Sequence, residues 1–68
     1  MRQWLIDIRK AKEMTQKEVA RAAQIAQPSY YEIEAGKSSP RPDTAKRIGK
    51  VLGLNWTRFY MDAEEEEA

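Results

Sequence analysis

The sequence predicts an all-α fold, a compact bundle of five short helices, on three observations. Apolar residues recur three and four positions apart along most of the chain, which is the spacing of one helix face. Helix-capping residues, together with Pro and Gly, divide the chain into five such stretches. A chain of 68 residues makes one domain with a modest core, since a domain of this size buries only about 60% of its unfolded surface.

The predicted helices span residues 2–12, 16–23, 28–35, 42–52 and 56–61. The apolar face of the first one is formed by Trp4, Leu5, Ile8 and Ala11. Thr15 caps the second helix and forms a capping box with Glu18. Pro28 suits the first turn of the third helix, where its missing N–H has no intrahelical partner, and Gly36 ends that helix. Asn55 caps the last one.

Charge is distributed unevenly along the chain. Five of the eleven acidic residues lie in the last seven positions, so residues 1–61 carry twelve Lys and Arg against six Asp and Glu, a net charge of +6. A basic body favours a polyanion as partner through counterion release. We expect residues 1–62 to form the domain and residues 63–68 to be an acidic, disordered tail with nothing to pack.

Cysteine and histidine are both absent. No disulfide or thiolate metal site can form, which fits a reducing cytoplasm, and the commonest general base and metal ligand is missing. Glu32 and Glu34 are two residues apart and cannot share a helix face as a catalytic pair. The apolar runs are too short to cross a membrane, and no signal peptide pattern occurs. We expect a cytoplasmic protein without enzymatic activity, metal, cofactor or small-molecule ligand.

The second and third helices, joined by a tight turn, form the pair around which the chain is organised. Ala20 lies near the point where such helices cross, and only a small side chain lets the backbones approach there. Tyr30 and Ile33 give the third helix an apolar face, so its outward face is left free. A short helix held up in this way, with polar side chains outward, can enter a DNA major groove.

The outward face of the third helix carries the candidate DNA-reading residues Gln27, Ser29, Tyr31 and Glu32. Gln27 is expected at the N-cap or just outside the helix, because Pro28 disfavours helical backbone in the residue before it. The Gln27 amide can pair with N6 and N7 of adenine, and Glu32 can accept a hydrogen bond from N4 of cytosine. Ser29 and Tyr31 border this face and can touch a thymine methyl, a sugar or a phosphate.

A second set of residues is expected to contact DNA phosphates: Gln16, Lys17, Lys37, Ser38 and Arg41. Gln16 lies at the start of the second helix, where N–H groups and its own amide can bind phosphate. Lys37, Ser38 and Arg41 lie in the Pro-containing loop after the third helix. Each Lys or Arg contact should add about 0.9 to the salt dependence of binding.

A series of residues at family-like spacings covers roughly residues 5–61 without a gap. It consists of Arg9, Thr15-Gln16-x-Glu18-Val19-Ala20, Ile25, Ser29, Ile33-Glu34-x-Gly36-Lys37 and Pro40, followed by Ile48, Leu52-Gly53-Leu54 and Phe59. The series resembles the helix-turn-helix domain of the Cro/phage-repressor (XRE) family. The resemblance implies a bundle of the lambda-repressor-like DNA-binding type.

The resemblance also implies roles for single residues in DNA reading. The positions matching Gln27, Pro28 and Glu32 are the usual base readers, but Pro28 has no polar side chain and should leave fewer bases read directly. The residue matching Gln16 binds phosphate and also braces the reader at Gln27.

The same resemblance implies a salt bridge within the domain and a dimer interface. Arg9 and Glu34 match a partly buried salt bridge that ties the first helix to the end of the third. The family usually dimerises through the C-terminal end of the domain, which assigns a two-fold interface to Leu54, Trp56, Tyr60 and Met61. Trp56 is expected to be core together with Phe59, with Leu54, Tyr60 and Met61 forming an exposed apolar patch.

The chain departs from the family pattern at three turn or cap positions. Glu13 and Gln24 stand where Gly is usual, and both positions should have positive φ, at a strain of about 1 kcal/mol. Ala26 stands where a Ser or Thr cap is common. These departures concern local geometry and stability rather than the fold.

We expect a sequence-specific transcription regulator that binds double-stranded DNA as a homodimer, with third helices in successive major grooves of a palindromic operator about 34 Å apart. Repression is the default mechanism, and the protein would be associated with the nucleoid. Control would come from concentration, dimerisation or a regulatory protein partner. The alternative is a protein-binding module, an antitoxin or antirepressor, that keeps this fold. The acidic tail either solvates the protein or competes with DNA for the basic face.

Overall fold

A computed structural model describes residues 1–61 of the chain. Its helices are α1 (Gln3–Ala11), α2 (Gln16–Ala22), α3 (Gln27–Ala35) and α4 (Pro42–Leu52), followed by a short helix, α5, at residues 58–61. Residues 1–61 contain no strand, and the predicted all-α bundle of five helices is confirmed. Within the same residues, no helix is long and apolar enough to cross a bilayer. The predicted tail at 63–68 lies outside the described residues.

The helices pack around one core. Its buried hydrophobic residues are Leu5, Val19, Ala20, Ala23, Tyr30, Ile33, Ala45, Ile48, Leu52 and Phe59. Trp4 and Ile8 of α1 are half-buried and pack against this core. Ala11, predicted to share their face, is exposed because α1 ends at that residue.

The turns on both sides of α2 contain left-handed backbone. The φ angle is +56° at Glu13 and +60° at Gln24, as the family pattern predicts. A non-glycine residue in this conformation is strained by about 1–2 kcal/mol, so both turns lower stability without changing the path of the chain. Gly36 and Gly53, which end α3 and α4, also have left-handed backbone, with φ of +79° and +69°. They avoid this strain because glycine has no Cβ.

The chain turns after α4, where the backbone of Leu54 comes close to Gly49. The Leu54 N–H donates to the Gly49 carbonyl oxygen at 2.9 Å. A Cβ at Gly49 would lie 2.8 Å from the Leu54 carbonyl oxygen, so a larger residue cannot fit without movement of backbone. The last helix begins at residue 58, two residues later than predicted, because residues 56 and 57 form a turn. The Asn55 side-chain oxygen accepts a hydrogen bond from the Thr57 N–H at 3.1 Å and so caps this turn rather than α5 itself.

Candidate nucleic-acid interface

The start of α2 is defined by the predicted capping box. The Glu18 N–H donates to the Thr15 hydroxyl at 3.1 Å, and the Thr15 N–H donates to the Glu18 carboxylate at 2.8 Å. This reciprocal pair satisfies two of the donors that a helix N-terminus leaves without intrahelical partners. Next to the box, Lys17 is exposed and Gln16 is half-buried. The two candidate phosphate contacts of α2 are thus on a well-defined helix end.

α3 turns one side to the core and the other to solvent. Tyr30, Ile33 and Glu34 are buried. The five candidate base readers are all exposed: Gln27, Pro28, Ser29, Tyr31 and Glu32. The first half of α3 is therefore exposed around the candidate readers, although Tyr31 also lines a shallow cavity with Met1, Ile6 and Gln16.

The predicted position of Gln27 at or before the N-cap is wrong by one residue. The N-cap is Ala26, which has extended backbone and no side-chain cap, and Gln27 is the first helical residue. The Tyr30 N–H donates to the Ala26 carbonyl oxygen at 3.1 Å, and this hydrogen bond closes a first turn that includes both Gln27 and Pro28. The preference of a pre-proline residue for extended backbone is therefore overridden by the first turn of α3.

A buried ion pair ties α3 to α1. Nε of Arg9 lies 2.6 Å from Oε2 of Glu34, and Nη2 donates to Oε1 at 3.2 Å. The Glu34 side chain is only 2% exposed. Arg9 also donates from Nη1 to the Met14 carbonyl oxygen at 2.9 Å. One guanidinium thus joins α1, the turn before α2, and the C-terminal half of α3, and the structure contains the pair that the resemblance implies.

Gln16 belongs to the same buried network. Its Nε2 donates to Oε1 of Glu34 at 2.9 Å, whereas the resemblance implies a brace to Gln27. A buried carboxylate needs donors at both oxygens, and Gln16 supplies one from the start of α2. In this chain the glutamine therefore fixes α2 against the back of α3.

The charge state of this network is set by its surroundings. Burial alone would raise the pKa of Glu34, but hydrogen bonds from neighbouring donors, Arg9 foremost, outweigh burial and hold that pKa below its ordinary value. The Tyr30 hydroxyl is buried and has no hydrogen-bond partner among residues 1–61, and burial, followed by the nearby Glu34 carboxylate, raises the pKa of Tyr30. Near neutral pH, Glu34 is therefore ionised and Tyr30 is neutral.

Arg2 is a positioning residue that the sequence did not reveal. It is 7% exposed, and its Nη1 donates to the carbonyl oxygens of Ile33 at 2.5 Å and Ser38 at 2.9 Å. Its Nη2 donates to Oγ of Ser39 at 3.2 Å. A cation at the last carbonyls of a helix both satisfies them and complements the helix dipole. Because its partners are 31 to 37 residues away, no local pattern indicates this role.

The loop between α3 and α4 presents the other candidate phosphate contacts. Lys37, Ser38 and Arg41 are exposed, and Pro40 between them is buried. The N–H groups of Lys37 and Ser38 both donate to the Glu32 carbonyl oxygen, at 3.0 and 3.4 Å. The backbone of the loop is therefore fixed to the end of α3 while its cationic side chains remain accessible.

The C-terminal surface, defined as Leu54, Trp56, Tyr60 and Met61, is only partly as predicted. Phe59 is buried, but Trp56, expected beside it in the core, is half-buried, as is Leu54. Tyr60 and Met61 are 38% and 51% exposed. The Trp56 and Tyr60 rings meet edge to face, with centroids 6.1 Å apart, while Trp56 also packs against the edge of the core.

Within residues 1–61, no group of acidic, His or Cys residues is arranged to hold a metal ion. The structure brings together two helices, α2 and α3, joined by a tight turn. One side of α3 exposes polar side chains, and a buried hydrogen-bond network fixes its other side. This arrangement defines a helix-turn-helix domain.

Comparison with known proteins agrees with that class. The helix-turn-helix family model HTH_3 matches residues 5–59. The chain therefore belongs to this family, in its XRE-type branch of DNA-binding transcription regulators, as the resemblance predicted. A similar protein of Bacillus subtilis (strain 168), named "Uncharacterized HTH-type transcriptional regulator YqaF", is 46% identical over 66 residues, which cover 97% of this chain and 87% of the relative. No solved structure matches the chain.

Proposed function

We propose that this protein is a sequence-specific transcription regulator that inserts α3 into the DNA major groove and represses by occluding its operator. The proposal rests on one observation, the exposure of the first half of α3 while its second half is locked by Glu34 and Arg2. A rigidly held helix with free polar side chains at its N-terminal end is the geometry by which helix-turn-helix proteins read bases. The name of the 46% identical Bacillus subtilis relative supports transcription regulation as the broader role.

The proposed readers divide by chemistry. Gln27 pairs with adenine through N6 and N7, and Glu32 accepts from cytosine N4. Tyr31 and Ser29 contact a thymine methyl, a sugar or a phosphate beside them. Pro28 offers only van der Waals contact, so this protein reads fewer bases directly than a reader with a polar side chain at that position.

The proposed phosphate contacts are Gln16, Lys17, Lys37, Ser38 and Arg41. They carry no sequence information themselves but fix the register of α3 in the groove. Three of them are cations, and each phosphate that a cation neutralises contributes about 0.9 to the slope of log K against log salt.

We propose that the C-terminal surface forms the two-fold interface of a homodimer. The exposed Tyr60 and Met61 give it an apolar centre. Two copies related by such an axis place their α3 helices in successive major grooves, about 34 Å apart. The DNA site is then an inverted repeat.

Selection of bound duplexes from a random pool tests this function. We expect an inverted repeat with half-sites about one helical turn apart. If no sequence is enriched at low salt, DNA reading is contradicted, and the protein-binding alternative, an antitoxin or antirepressor, gains support. That alternative predicts a tight complex with a different protein and little salt-dependent DNA binding.

Single variants test the assigned roles. Gln27→Ala should lower affinity by about 1–3 kcal/mol and relax selection at one base pair in each half-site.

Arg41→Gln should weaken binding to all sequences and reduce the salt slope by about 0.9 for each bound copy. Lys12→Gln is the matched control, because Lys12 is an exposed cation that lies against Gly53 at the C-terminal end of α4. Equal salt slopes for Arg41→Gln and the unchanged protein would remove Arg41 from the interface.

Sedimentation of the free protein tests the dimer. Met61→Glu should give a monomer, since it places a charge at the proposed two-fold interface, and should weaken binding to the inverted repeat. Ala11→Glu, a charge on an exposed position of α1, should leave the dimer intact. A dimer that survives Met61→Glu would assign the interface to another surface.

A further inference from the structure

The Tyr60 side chain of α5 reaches back to the loop between α3 and α4. Its hydroxyl donates to the Pro40 carbonyl oxygen at 2.7 Å, across 20 positions of the sequence. Pro40 is buried, and its carbonyl belongs to the same peptide group as the Arg41 N–H. Because a peptide group is planar and rigid, a hydrogen bond to this carbonyl fixes the backbone from which the Arg41 side chain extends.

The Arg41 backbone is held on its other side by α4. Arg41 is the N-cap of that helix, with extended backbone and no side-chain cap. Its carbonyl oxygen accepts a hydrogen bond from the Ala45 N–H at 2.8 Å, while Arg41 as a whole is exposed. Arg41 therefore combines a fixed backbone with an accessible side chain, and Tyr60 supplies a part of this fixation that comes from outside α4.

An earlier point of the same loop is also tied to α5. The Arg2 guanidinium donates to the Ser38 carbonyl oxygen at 2.9 Å and to Oγ of Ser39 at 3.2 Å. It also lies 5.7 Å from the centroid of the Phe59 ring, which is buried in the core. Two consecutive residues of α5 thus support the loop, Phe59 through Arg2 and Tyr60 directly.

The Tyr60 ring is itself oriented by its neighbours. It meets the Trp56 ring edge to face, with centroids 6.1 Å apart, and Nζ of Lys46 in α4 lies 5.1 Å from the centroid of the Trp56 ring. The Tyr60 N–H donates to the Thr57 carbonyl oxygen at 3.0 Å. A side chain that is already oriented loses little rotamer freedom when it forms one more contact, so the hydrogen bond to Pro40 costs little entropy.

We propose that Tyr60 is a positioning residue for DNA binding, whose hydroxyl holds the loop backbone at Pro40 and so presents Arg41 to a DNA phosphate. This role rests on the proposed function, which gives Arg41 a phosphate contact. Tyr60 touches no DNA in this role. Without its hydroxyl the cation remains, but DNA binding must then order the loop at a cost in conformational entropy.

The test is Tyr60→Phe, which removes the hydroxyl and keeps the ring against Trp56. Binding is measured on a duplex that carries one selected half-site and on a random duplex of the same length. We expect about two- to tenfold weaker binding, the range that one hydrogen bond contributes. The factor should be equal for both duplexes, because phosphate contacts carry no sequence information. No loss, or a loss confined to the half-site, overturns the proposal.

Thr57→Val is the matched control, because it removes another hydroxyl next to α5. The Thr57 hydroxyl donates to Oδ1 of Asn55 at 2.8 Å, so its partner lies in the same turn. Each variant loses one hydrogen bond, and the melting temperatures should fall by similar amounts. Only Tyr60→Phe should bind DNA more weakly. An equal loss of affinity in Thr57→Val would show that binding follows stability alone and would refute the positioning role.

Tyr60 also belongs to the C-terminal surface, so an effect through the proposed dimer needs to be separated. In the Met61→Glu background, which places a charge on that surface, Tyr60→Phe should weaken half-site binding by the same factor. A loss seen only when Met61 is unchanged would assign Tyr60 to the two-fold interface and refute its role within one chain.

A measurement on the free protein separates failure of this inference from failure of DNA binding. Tyr60→Phe should shift the NMR signals of the Pro40 carbonyl carbon and the Arg41 amide, and lower the backbone order parameter at Arg41. Thr57→Val should leave these signals unchanged. If Tyr60→Phe leaves them unchanged too, the inference fails even where DNA is bound. If they shift but no duplex is bound, the hold on the loop stands and the proposed function fails.

Discussion

Arg9 and Glu34 form a two-point ion pair across 25 positions of the sequence, with Nε 2.6 Å from Oε2 and Nη2 3.2 Å from Oε1. The pair is almost closed to solvent, with 13% of the Arg9 side chain and 2% of the Glu34 side chain exposed. It connects the first helix to the helix that we propose to read DNA. The orientation of α3 is consequently set by contacts on its buried side.

Removing Arg9 should destabilise the protein strongly. Arg9→Ala leaves a buried carboxylate without its cation, which typically lowers the free energy of unfolding by about 3–5 kcal/mol. That is a large part of the total for a domain of this size, at about 0.05–0.15 kcal/mol per residue. Lys10→Ala, at the exposed neighbouring position, should change it by no more than about 0.5 kcal/mol. Urea unfolding of both variants checks this, and equal midpoints would refute the pairing.

The same carboxylate makes stability depend on acid pH. The folded pKa of Glu34 is below the ordinary value of 4.5, so its ionised form stabilises the fold above that pH, and the contribution is lost as the pH falls through the folded pKa. The free energy of unfolding should decline below about pH 4.5. In Glu34→Gln that decline should be shallower, while Glu32→Gln, at an exposed position, should retain it. Identical slopes in the two variants would contradict this origin.

Glycine should be tolerated at the turn between α2 and α3. Gln24 has φ of +60°, and Gln24→Gly removes a strain of about 1 kcal/mol, offset in part by the greater entropy of the unfolded chain. The net change in the free energy of unfolding should lie between zero and about 1 kcal/mol of stabilisation. Arg47→Gly, in the interior of α4, should instead destabilise by about 1 kcal/mol. A clear loss of stability in Gln24→Gly would mean that the glutamine side chain itself supports the turn.

Adding a single methyl group at Gly49 should loosen the corner that leads to α5. The new Cβ would lie 2.8 Å from the Leu54 carbonyl oxygen and 3.3 Å from Cβ of Trp56. We expect Gly49→Ala to destabilise by about 1–3 kcal/mol, the range for overpacked sites, and to shift the fluorescence of Trp56. Lys50→Ala, at the exposed next position, should do neither. Wild-type stability and fluorescence in Gly49→Ala would show that the corner can move aside without loss.

Much of the fold could be read from local sequence. Thr15 and Glu18 predict a helix start because a capping box needs only residues three apart, and the box is present. Gly36 and Gly53 predict helix ends because the left-handed C-cap is a property of single residues, and both are observed. The exception is Gln27, where a preference of the pre-proline residue gave way to closure of the first turn of α3.

The contacts that hold α3 in place could not be predicted from local sequence. The resemblance supplied the pair of Arg9 and Glu34, but not the donation from Gln16 to that carboxylate, nor the clamp that Arg2 places on the loop after α3. Similarly, Trp56 has the spacing of a core residue but stays half-buried against Tyr60. Phe59 rather than Trp56 enters the core, and this choice depends on the space that the other helices leave.

The amino-acid sequence alone determined the number and order of the helices, the capping box of α2, the glycines that end α3 and α4, and the exposed side of α3. These follow from interactions between residues at most a few positions apart, which every local segment carries with it. Only the tertiary structure decided that Arg2 and Gln16 hold α3 and its loop in place. Those hydrogen bonds join residues 18 to 37 positions apart, and their geometry exists only once the helices have packed.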